Sequence, residues 1–286
     1  MLLHTLKTVG TVLVGYSALA LTTTTYGSLV FYTGFNEGVG HPSGTYLGSQ
    51  TTGVKANTVD YSNQVNPFAN GGYSVYIPAI NPAYNNAVTF TTPTSLNDVS
   101  FTSGTIAAWI NPESFPVSTG NRIFTTRETG GSSDAFDFYI WNPNHATNGG
   151  RLELHAGNGS GPATYTTTQA VFTNDSVNKW HFVAVTWDGN ADRIDFYIGD
   201  STGVLTHIET LTGININPQH HASDIRIGTG QGAGAYFKGL IDEFYLYNHA
   251  LTMSELQAIM TKAVPEPASV TLLCLGGLLL TRRRSA

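Results

Sequence analysis

The stretch KWHFVAVTWDG, residues 179–189, decides the fold class. Apolar side chains occupy both faces of its strand-like pattern, which is typical of a strand in the middle of a sheet rather than at an edge. The Asp188-Gly189-Asn190 segment that follows is rich in residues that tolerate a positive φ, so a turn is expected to end the strand. The sequence therefore predicts a central β-strand at Trp180–Trp187.

Short alternating or aromatic-rich runs continue on both sides of this strand, separated by clusters of Gly, Pro, Asn, Asp and Ser. Further strands are predicted at residues 29–35, 73–77, 87–91, 105–110, 122–127, 136–141, 151–155, 163–171, 193–198, 204–211, 224–227 and 240–247. One helix is predicted at 252–262, where Thr252 and Glu255 have the spacing of a capping box. Many strands without intervening helices indicate an all-β fold with two antiparallel sheets.

Composition and charge exclude several classes of function. Charged residues make up 11% of the chain, against roughly 25% in an average soluble domain. The formal net charge is −6, and acidic residues outnumber basic ones two to one between residues 21 and 263. No basic nucleic-acid footprint is therefore expected in the folded part. The single cysteine, Cys274, excludes an internal disulfide and a cysteine zinc site there.

Both ends are predicted to be targeting segments. Residues 1–27 have one Lys before an apolar stretch ending in Ala18-Leu19-Ala20, typical of a secretory signal peptide and a short spacer. Residues 263–286 contain a short acidic proline motif, an apolar segment and an arginine run: Pro265, Glu266, Pro267, then 268–280, then Arg282, Arg283 and Arg284. The apolar segment would reach roughly 20 Å as a transmembrane helix, short of the ~30 Å hydrocarbon core. It is predicted to be a temporary membrane anchor.

The order of these C-terminal features resembles the PEP-CTERM sorting signal of bacterial exopolysaccharide-associated proteins. The resemblance implies recognition by an exosortase-type membrane protease and removal of the tail. It also implies an exported protein at the cell envelope, cell surface or extracellular matrix of a Gram-negative-type bacterium.

Three internal segments resemble laminin G-like, concanavalin A-like jelly rolls. They are FTSGTIAAWINP at 101–112, the 179–189 strand with FYI at 196–198, and GLIDEFYLYNHALT at 239–252. A weaker opening motif, FNEG at 35–38, precedes Ser43-Gly44, whereas Gly199-Asp200 reverses the usual Asp-Gly. The resemblance implies a two-sheet antiparallel jelly-roll domain over residues 28–262, with a short C-terminal helix.

Asp242 is the strongest candidate metal ligand. By the period of two, it is predicted to share a face with Leu240, Phe244 and Leu246, where a carboxylate is costly unless it is paired or binds a cation. The resemblance implies a structural Ca²⁺ held by this aspartate and groups near the first strand, which makes Asn36 and Glu37 candidate partners. The alternative is an ordinary buried aspartate that accepts N–H bonds or pairs with an arginine.

Catalytic arrangements have weaker support in the sequence. The pairs Asp134/Asp137, Asp192/Asp195 and Asp242/Glu243 are each predicted to point to opposite faces of a strand, whereas a retaining glycosidase needs two close carboxyl groups on one face. The E-x-D-x-x-E string of related glucanases does not occur. His181 is predicted to be a hydrogen-bonded core histidine rather than a ligand.

Loop aromatics with neighbouring amides are the features expected of a sugar site, because rings stack on a sugar and amides bond its hydroxyl groups. One candidate group contains Tyr139, Trp141, Asn144 and His145, and Tyr236 belongs to another; the alternative places such rings in the core. The predicted function is an exported, non-catalytic surface or matrix protein that binds carbohydrate such as extracellular polysaccharide. The alternatives are a polysaccharide-degrading glycosidase or lyase with a nonstandard site, and a structural or protein-adhesion module without a glycan ligand.

Overall fold

The computed structural model of the chain describes residues 29–56, 58–78, 87–91, 101–116, 120–126, 136–157, 162–214, 216, 224–229 and 236–261. Their strands are β1 (Leu29–Thr33), β2 (Ser43–Tyr46), β3 (Ser49–Lys55), β4 (Asp60–Ser62), β5 (Ser74–Ile77), β6 (Val88–Thr91), β7 (Ser103–Pro112) and β8 (Gly120–Thr125), then β9 (Asp137–Trp141), β10 (Leu152–Gly157), β11 (Pro162–Thr166), β12 (His181–Asp188), β13 (Arg193–Gly199), β14 (Leu205–Thr212), β15 (Asp224–Ile227) and β16 (Gly239–Tyr247). One helix, α1 (Met253–Thr261), follows them.

The strands form two antiparallel sheets. Sheet A has the order β3-β2-β1-β16-β7-β12-β13-β14, and β5 pairs with the first part of β16 and with β4. Sheet B has the order β3-β6-β15-β8-β9-β10-β11. The prediction of a two-sheet all-β sandwich is confirmed, and β12 lies between β7 and β13 as its apolar sequence predicted.

Strand β3 belongs to both sheets. Its residues 49–52 pair with β2, whereas 53–55 pair with β6. Gly53 lies where the strand passes from one sheet to the other, and a Cβ there would lie 2.7 Å from the Phe90 ring. The close approach of a ring explains why a glycine occupies this corner.

The main core fills the space between the sheets. Phe31 of sheet A packs edge-on against Phe90 of sheet B with ring centroids 4.8 Å apart, and Phe124 stacks on Phe244 at 4.9 Å. Trp187 is fully buried, and its Nε1 donates a hydrogen bond to the carbonyl of Phe101 at 2.7 Å. Because the indole N–H has a hydrogen-bond acceptor, the large side chain of Trp187 can be buried in an apolar core.

A second apolar cluster lies on the outer face of sheet A, beneath α1. Trp109 belongs to it, and its Nε1 donates to the carbonyl of Met260 at 3.0 Å. The capping box at the start of α1 is confirmed, because Thr252 N donates to Glu255 Oε2 at 2.8 Å and Glu255 N donates to Thr252 Oγ1 at 3.3 Å.

Strands β2, β3 and β4 were not predicted from the sequence. Strands β2 and β3 are rich in Ser, Thr and Gly and contain few apolar side chains, and β4 is only three residues long. The predicted signal segment, residues 1–27, and the predicted sorting tail lie outside the described residues. In the part of the chain that the structure describes, no helix is long and apolar enough to cross a membrane.

The predicted orientation of Asp242 is wrong because β16 contains a bulge. The pairing of β16 with β7 shifts between Asp242 and Tyr245, and Glu243 adopts a φ of 49°. Asp242 is consequently paired with Trp109 of the second cluster, on the opposite side of the sheet from Phe244. Glu243 points to the same side, where it accepts hydrogen bonds from two tyrosine hydroxyls, so the two carboxylates are not opposed.

Candidate functional site

A layer of polar and aromatic side chains, most of them buried or nearly so, lines the outer side of β8–β11 in sheet B, and we call it the polar face. It follows from strand alternation, since the residues between its members lie in the main core. Its members on β8, β9 and β10 are one arginine, two acidic residues, two aromatic residues and a histidine: Arg122, Asp137, Tyr139, Trp141, Glu153 and His155.

Asp137 anchors the middle of the polar face. Its carboxylate is fully buried, and its Oδ2 lies 3.2 Å from Arg122 Nη2 and 3.3 Å from His155 Nδ1. The Thr125 hydroxyl donates a hydrogen bond to its Oδ1. A buried charge is tolerated when it is paired and hydrogen-bonded in this way.

Glu153 holds the two aromatic side chains of β9. Its carboxylate accepts hydrogen bonds from the Tyr139 and Thr166 hydroxyls, and Trp141 Nε1 donates to it at 2.8 Å. Burial raises the pKa of Glu153, and the neighbouring Asp137 charge also acts to raise it, against the hydrogen bond from Thr166. Glu153 therefore fixes the orientation of both rings.

The aromatic side chains lead to a group of exposed amides at the end of β9. The Trp141 and His145 ring centroids are 4.3 Å apart, and Tyr139 lies 5.9 Å from Trp141. Asn144 exchanges two hydrogen bonds with Asn174, at 3.1 and 3.4 Å, on the exposed surface. The four residues of the first predicted sugar-binding group are thus adjacent.

Tyr236 lies on a different part of the chain. Its backbone forms an isolated bridge with Thr229, beyond the end of β15. Among the described residues, no hydrogen bond or ring contact joins Tyr236 to Trp141.

The predicted calcium ligands have separate partners. Oδ2 of Asp242 accepts hydrogen bonds from N and Nδ2 of Asn66, at 3.0 and 2.9 Å. Asn36 Oδ1 accepts from the Tyr73 N–H at 3.3 Å, and Glu37 accepts from the Ser43 N–H at 2.8 Å. Within the described ranges, no group of three or more His, Cys, Asp or Glu side chains could hold a metal ion. Asn36, Glu37 and Asp242 thus each accept hydrogen bonds from different described residues, and the calcium ligand set stays a prediction.

Asp242 alone keeps the property that suggested calcium. Its side chain is 1% exposed, and no ion pair with a described residue neutralises it. Burial raises its pKa to about 6, although hydrogen bonds from Asn66 and the Glu243 N–H oppose the shift. A buried, unneutralised carboxylate is a chemically suitable ligand for a hard cation, and calcium binding stays a prediction that rests on this residue.

His181 has the predicted structural role. Its Nε2 lies 2.9 Å from the Ser176 carbonyl, and its ring meets Phe172 edge-on at 5.1 Å. Burial lowers its pKa, which favours the neutral ring of a core histidine.

Sequence reasoning missed Arg122, Glu153 and His155 as members of a site. The signal was present in the LELHA run at 152–156, where polar Glu and His alternate with apolar residues. Alternation shows that the two side chains share a face, but the strand register is needed to place them beside Asp137 and Tyr139. Asp134, the partner considered for Asp137, lies outside the described residues.

Comparison with solved structures supports the fold. The binding domain of botulinum neurotoxin serotype G matches with a TM-score of 0.57 and 14% identity, over 81% of this chain and 50% of that chain. The binding domain of Paraclostridial Mosquitocidal Protein 1 matches with a TM-score of 0.57 and 13% identity, over 82% and 52%. A botulinum neurotoxin type C structure, described as depending on two ganglioside molecules for cell entry, matches with a TM-score of 0.56 and 14% identity, over 82% and 50%.

These identities are low, so the similarity shows the fold alone, and the chain spans about half the length of the solved chains. No curated protein gives a significant sequence match. A family model for laminin G-type domains, Laminin_G_3, described as the concanavalin A-like lectin/glucanases superfamily, matches residues 82–257. This match covers more than half of the sequence and includes the strands of the polar face. The chain belongs to the Laminin_G_3 family of the concanavalin A-like lectin/glucanases superfamily.

Proposed function

We propose that this protein is an exported, non-catalytic surface or matrix protein that binds carbohydrate through the polar face. The observation that carries the proposal is the Trp141–His145 ring pair beside the exposed Asn144 and Asn174 amides. Aromatic rings contact the C–H face of a sugar, and amides bond its hydroxyl groups. The interaction of the related toxin fold with gangliosides supports the same class of ligand.

The orientation of these rings supports a preformed site. Glu153 bonds both Tyr139 and Trp141, and His145 Nδ1 accepts N–H bonds from Thr147 at 3.3 Å and Asn148 at 3.1 Å. Side chains that are already held in place lose little freedom on binding, which favours affinity.

Extracellular polysaccharide is the proposed partner. In this proposal the N-terminal segment directs export, the C-terminal tail is a temporary membrane anchor, and an exosortase-type protease recognises Pro265, Glu266 and Pro267. Mass spectrometry of secreted material tests these steps. Intact tails and retained signal segments in the exported fraction would contradict them.

A polysaccharide-degrading activity is the second candidate, because Asp137 and Glu153 lie on neighbouring strands of one face and the pKa of Glu153 is raised. However, the two residues are 0% and 2% exposed, and their carboxylates bond the surrounding side chains. A general acid must reach the glycosidic oxygen, so this arrangement favours binding over hydrolysis.

A glycan array and a turnover assay test the proposal together. We expect wild-type protein to bind a set of glycans and to release no reducing ends or unsaturated products from them. Trp141→Ala should lose binding, whereas Trp180→Ala, a partly buried tryptophan packed against the second cluster, should retain it. Turnover that Glu153→Gln abolishes would establish the enzyme instead. A blank array with retained attachment to cell envelopes would favour a protein-adhesion module.

A further inference from the structure

A cleft of about 490 Å³ opens on the outer face of sheet A, on the opposite side of the sandwich from the polar face. The apolar cluster beneath α1 covers only part of that face, and the remaining part of β12–β14 carries polar side chains. Its described lining includes polar groups from the strands and a wall from the turn before α1: Thr186, Asp195, Tyr197, His207, Leu251 and Met253. We call it the Asp195 cleft.

Asp195 is the centre of a hydrogen-bond network in this cleft. It accepts hydrogen bonds from Arg193 Nε at 2.5 Å and Nη2 at 2.8 Å. His207 Nε2 lies 2.9 Å from its Oδ1, and the Thr210 hydroxyl donates to the same oxygen at 2.5 Å. Burial acts to raise the pKa of Asp195, but the bonds from Arg193, Thr210 and His207 outweigh it and hold the pKa below its usual value. Asp195 is therefore an ionised carboxylate at neutral pH.

An ionised carboxylate fixes the tautomer of His207. Because it can only accept hydrogen bonds, His207 Nε2 must carry the proton that joins them. In the neutral ring, Nδ1 then keeps its lone pair, and no described residue bonds it. The His207 side chain lines the cleft and is 37% exposed, so its ring can meet a ligand there.

The cleft presents donors beside this acceptor. Arg193 uses two N–H groups on Asp195 and has a half-exposed side chain, so further N–H groups remain for a ligand. Leu251 and Met253 add an apolar wall, and the Met253 side chain is 46% exposed. A sugar ring needs this combination of donors, acceptors and apolar contact.

The local charge argues against an anion. The charge of Arg193 is balanced by Asp195, and Asp188, which also lines the cleft, adds a negative charge. We propose that the Asp195 cleft is a second saccharide-binding site, which takes a neutral, hydroxyl-rich sugar unit. This inference rests on the proposed function for the class of ligand, but it concerns different residues on a different sheet.

A second site on the opposite face would give the protein two points of attachment. One molecule could then join two polysaccharide chains, and linked sites of moderate affinity hold a polymer more tightly than either site alone. Neither site has to bind strongly for the protein to hold a matrix together.

Nuclear magnetic resonance titration of the ¹⁵N-labelled full chain tests the inference. The probes are glucose, galactose, mannose, xylose and N-acetylglucosamine at millimolar concentrations, with sodium sulfate and zinc chloride as comparison ligands. In the free protein, the neutral form of the His207 ring should be the tautomer with its proton on Nε2 and none on Nδ1. A sugar should shift the Nδ1 signal and the amide signals of β13 and β14.

Variants separate the two sites. His207→Ala should weaken binding at the cleft about tenfold, the loss expected for a good hydrogen bond, while the Trp141 indole still responds. Trp141→Ala should leave the His207 response unchanged, and His41→Ala, another exposed histidine, should alter neither. Asp195→Asn should abolish the single His207 tautomer and weaken the same response.

The outcomes are distinguishable. If sugars shift the Trp141 indole but never His207, the second site is refuted and the proposed function stands. If sulfate or zinc shifts His207 and no sugar does, the ligand class is wrong. If no sugar shifts either group and the glycan array is blank, both the inference and the proposed function fail.

Discussion

Replacing Asp242 by asparagine should change how the stability of the protein depends on pH. Burial raises the pKa of this carboxyl from 3.8 to about 6 in the folded protein. Each pKa unit corresponds to about 1.4 kcal/mol, so the ionised group costs the folded state about 3 kcal/mol at neutral pH. The asparagine side chain would carry no charge, and its single carbonyl oxygen could still accept the two bonds from Asn66.

The direction of the effect follows from proton binding. Between about pH 4 and 6 the folded state holds a proton on Asp242 that the unfolded chain has lost. The stabilisation from this proton is complete below the unfolded pKa and is lost as the pH rises through about 6. The wild-type free energy of unfolding should therefore fall by about 2–3 kcal/mol relative to that of Asp242→Asn between pH 4 and pH 8.

Urea unfolding of both proteins in EDTA, at several pH values, measures this difference. Taking the difference at each pH removes the titration of groups that the two proteins share. Asp60→Asn is the matched control for removing an exposed carboxylate, since the Asp60 side chain is 82% exposed. A curve for Asp242→Asn no steeper than that of this control would show that the buried carboxylate is not the unneutralised group described above.

Further substitutions and calcium test other parts of the structure. At about pH 8, calcium should raise the melting temperature of the wild type but not that of Asp242→Asn. Equal wild-type melting temperatures in calcium and in EGTA would refute calcium binding. Trp187→Ala should lower the free energy of unfolding, measured by urea titration, by about 3–5 kcal/mol. Trp141→Ala should lower it by only about 1 kcal/mol, because Trp141 is less buried than Trp187. Equal losses for the two variants would contradict this difference in burial. Gly104→Ala should destabilise by about 1–3 kcal/mol, because its Cβ would lie 2.1 Å from the Trp187 ring, and an unchanged urea midpoint would contradict that packing. Leu256→Ala should lower the free energy of unfolding by about 2–5 kcal/mol, measured by urea unfolding. An unchanged free energy would contradict the packing of α1 on sheet A.

Much of the fold could be predicted from local patterns. Buried strands such as β12 combine β-branched and aromatic residues, and their boundaries are marked by turn residues. Strand β3 could not be recognised in this way, because its SQTTGVK sequence has one valine and its side chains are mostly exposed or half-buried. It is a strand because both sheets supply it with backbone partners.

The site was predictable in part, for a similar reason. Trp141, His145 and Asn144 are close in sequence, so composition alone suggested their group. Glu153 joins them only through the register of β10 against β9, which is a long-range property of the fold. The face of Asp242 was mispredicted because a non-glycine residue, Glu243, adopts a positive φ in the bulge, and no sequence pattern marked that position.

Strand β3 connects the two sheets along one side of the sandwich, because it pairs with β2 of sheet A and with β6 of sheet B. Where β3 pairs with β2 and with β6, the backbone edges of those two strands are already hydrogen-bonded, so another strand could pair with them there only by displacing β3. Among the described strands, the pairing order ends at β11 and β14, and β14 carries His207, Glu209 and several threonines at its margin. Copies of this chain are thereby hindered from adding strands directly to β2 or β6 at this side of the sandwich.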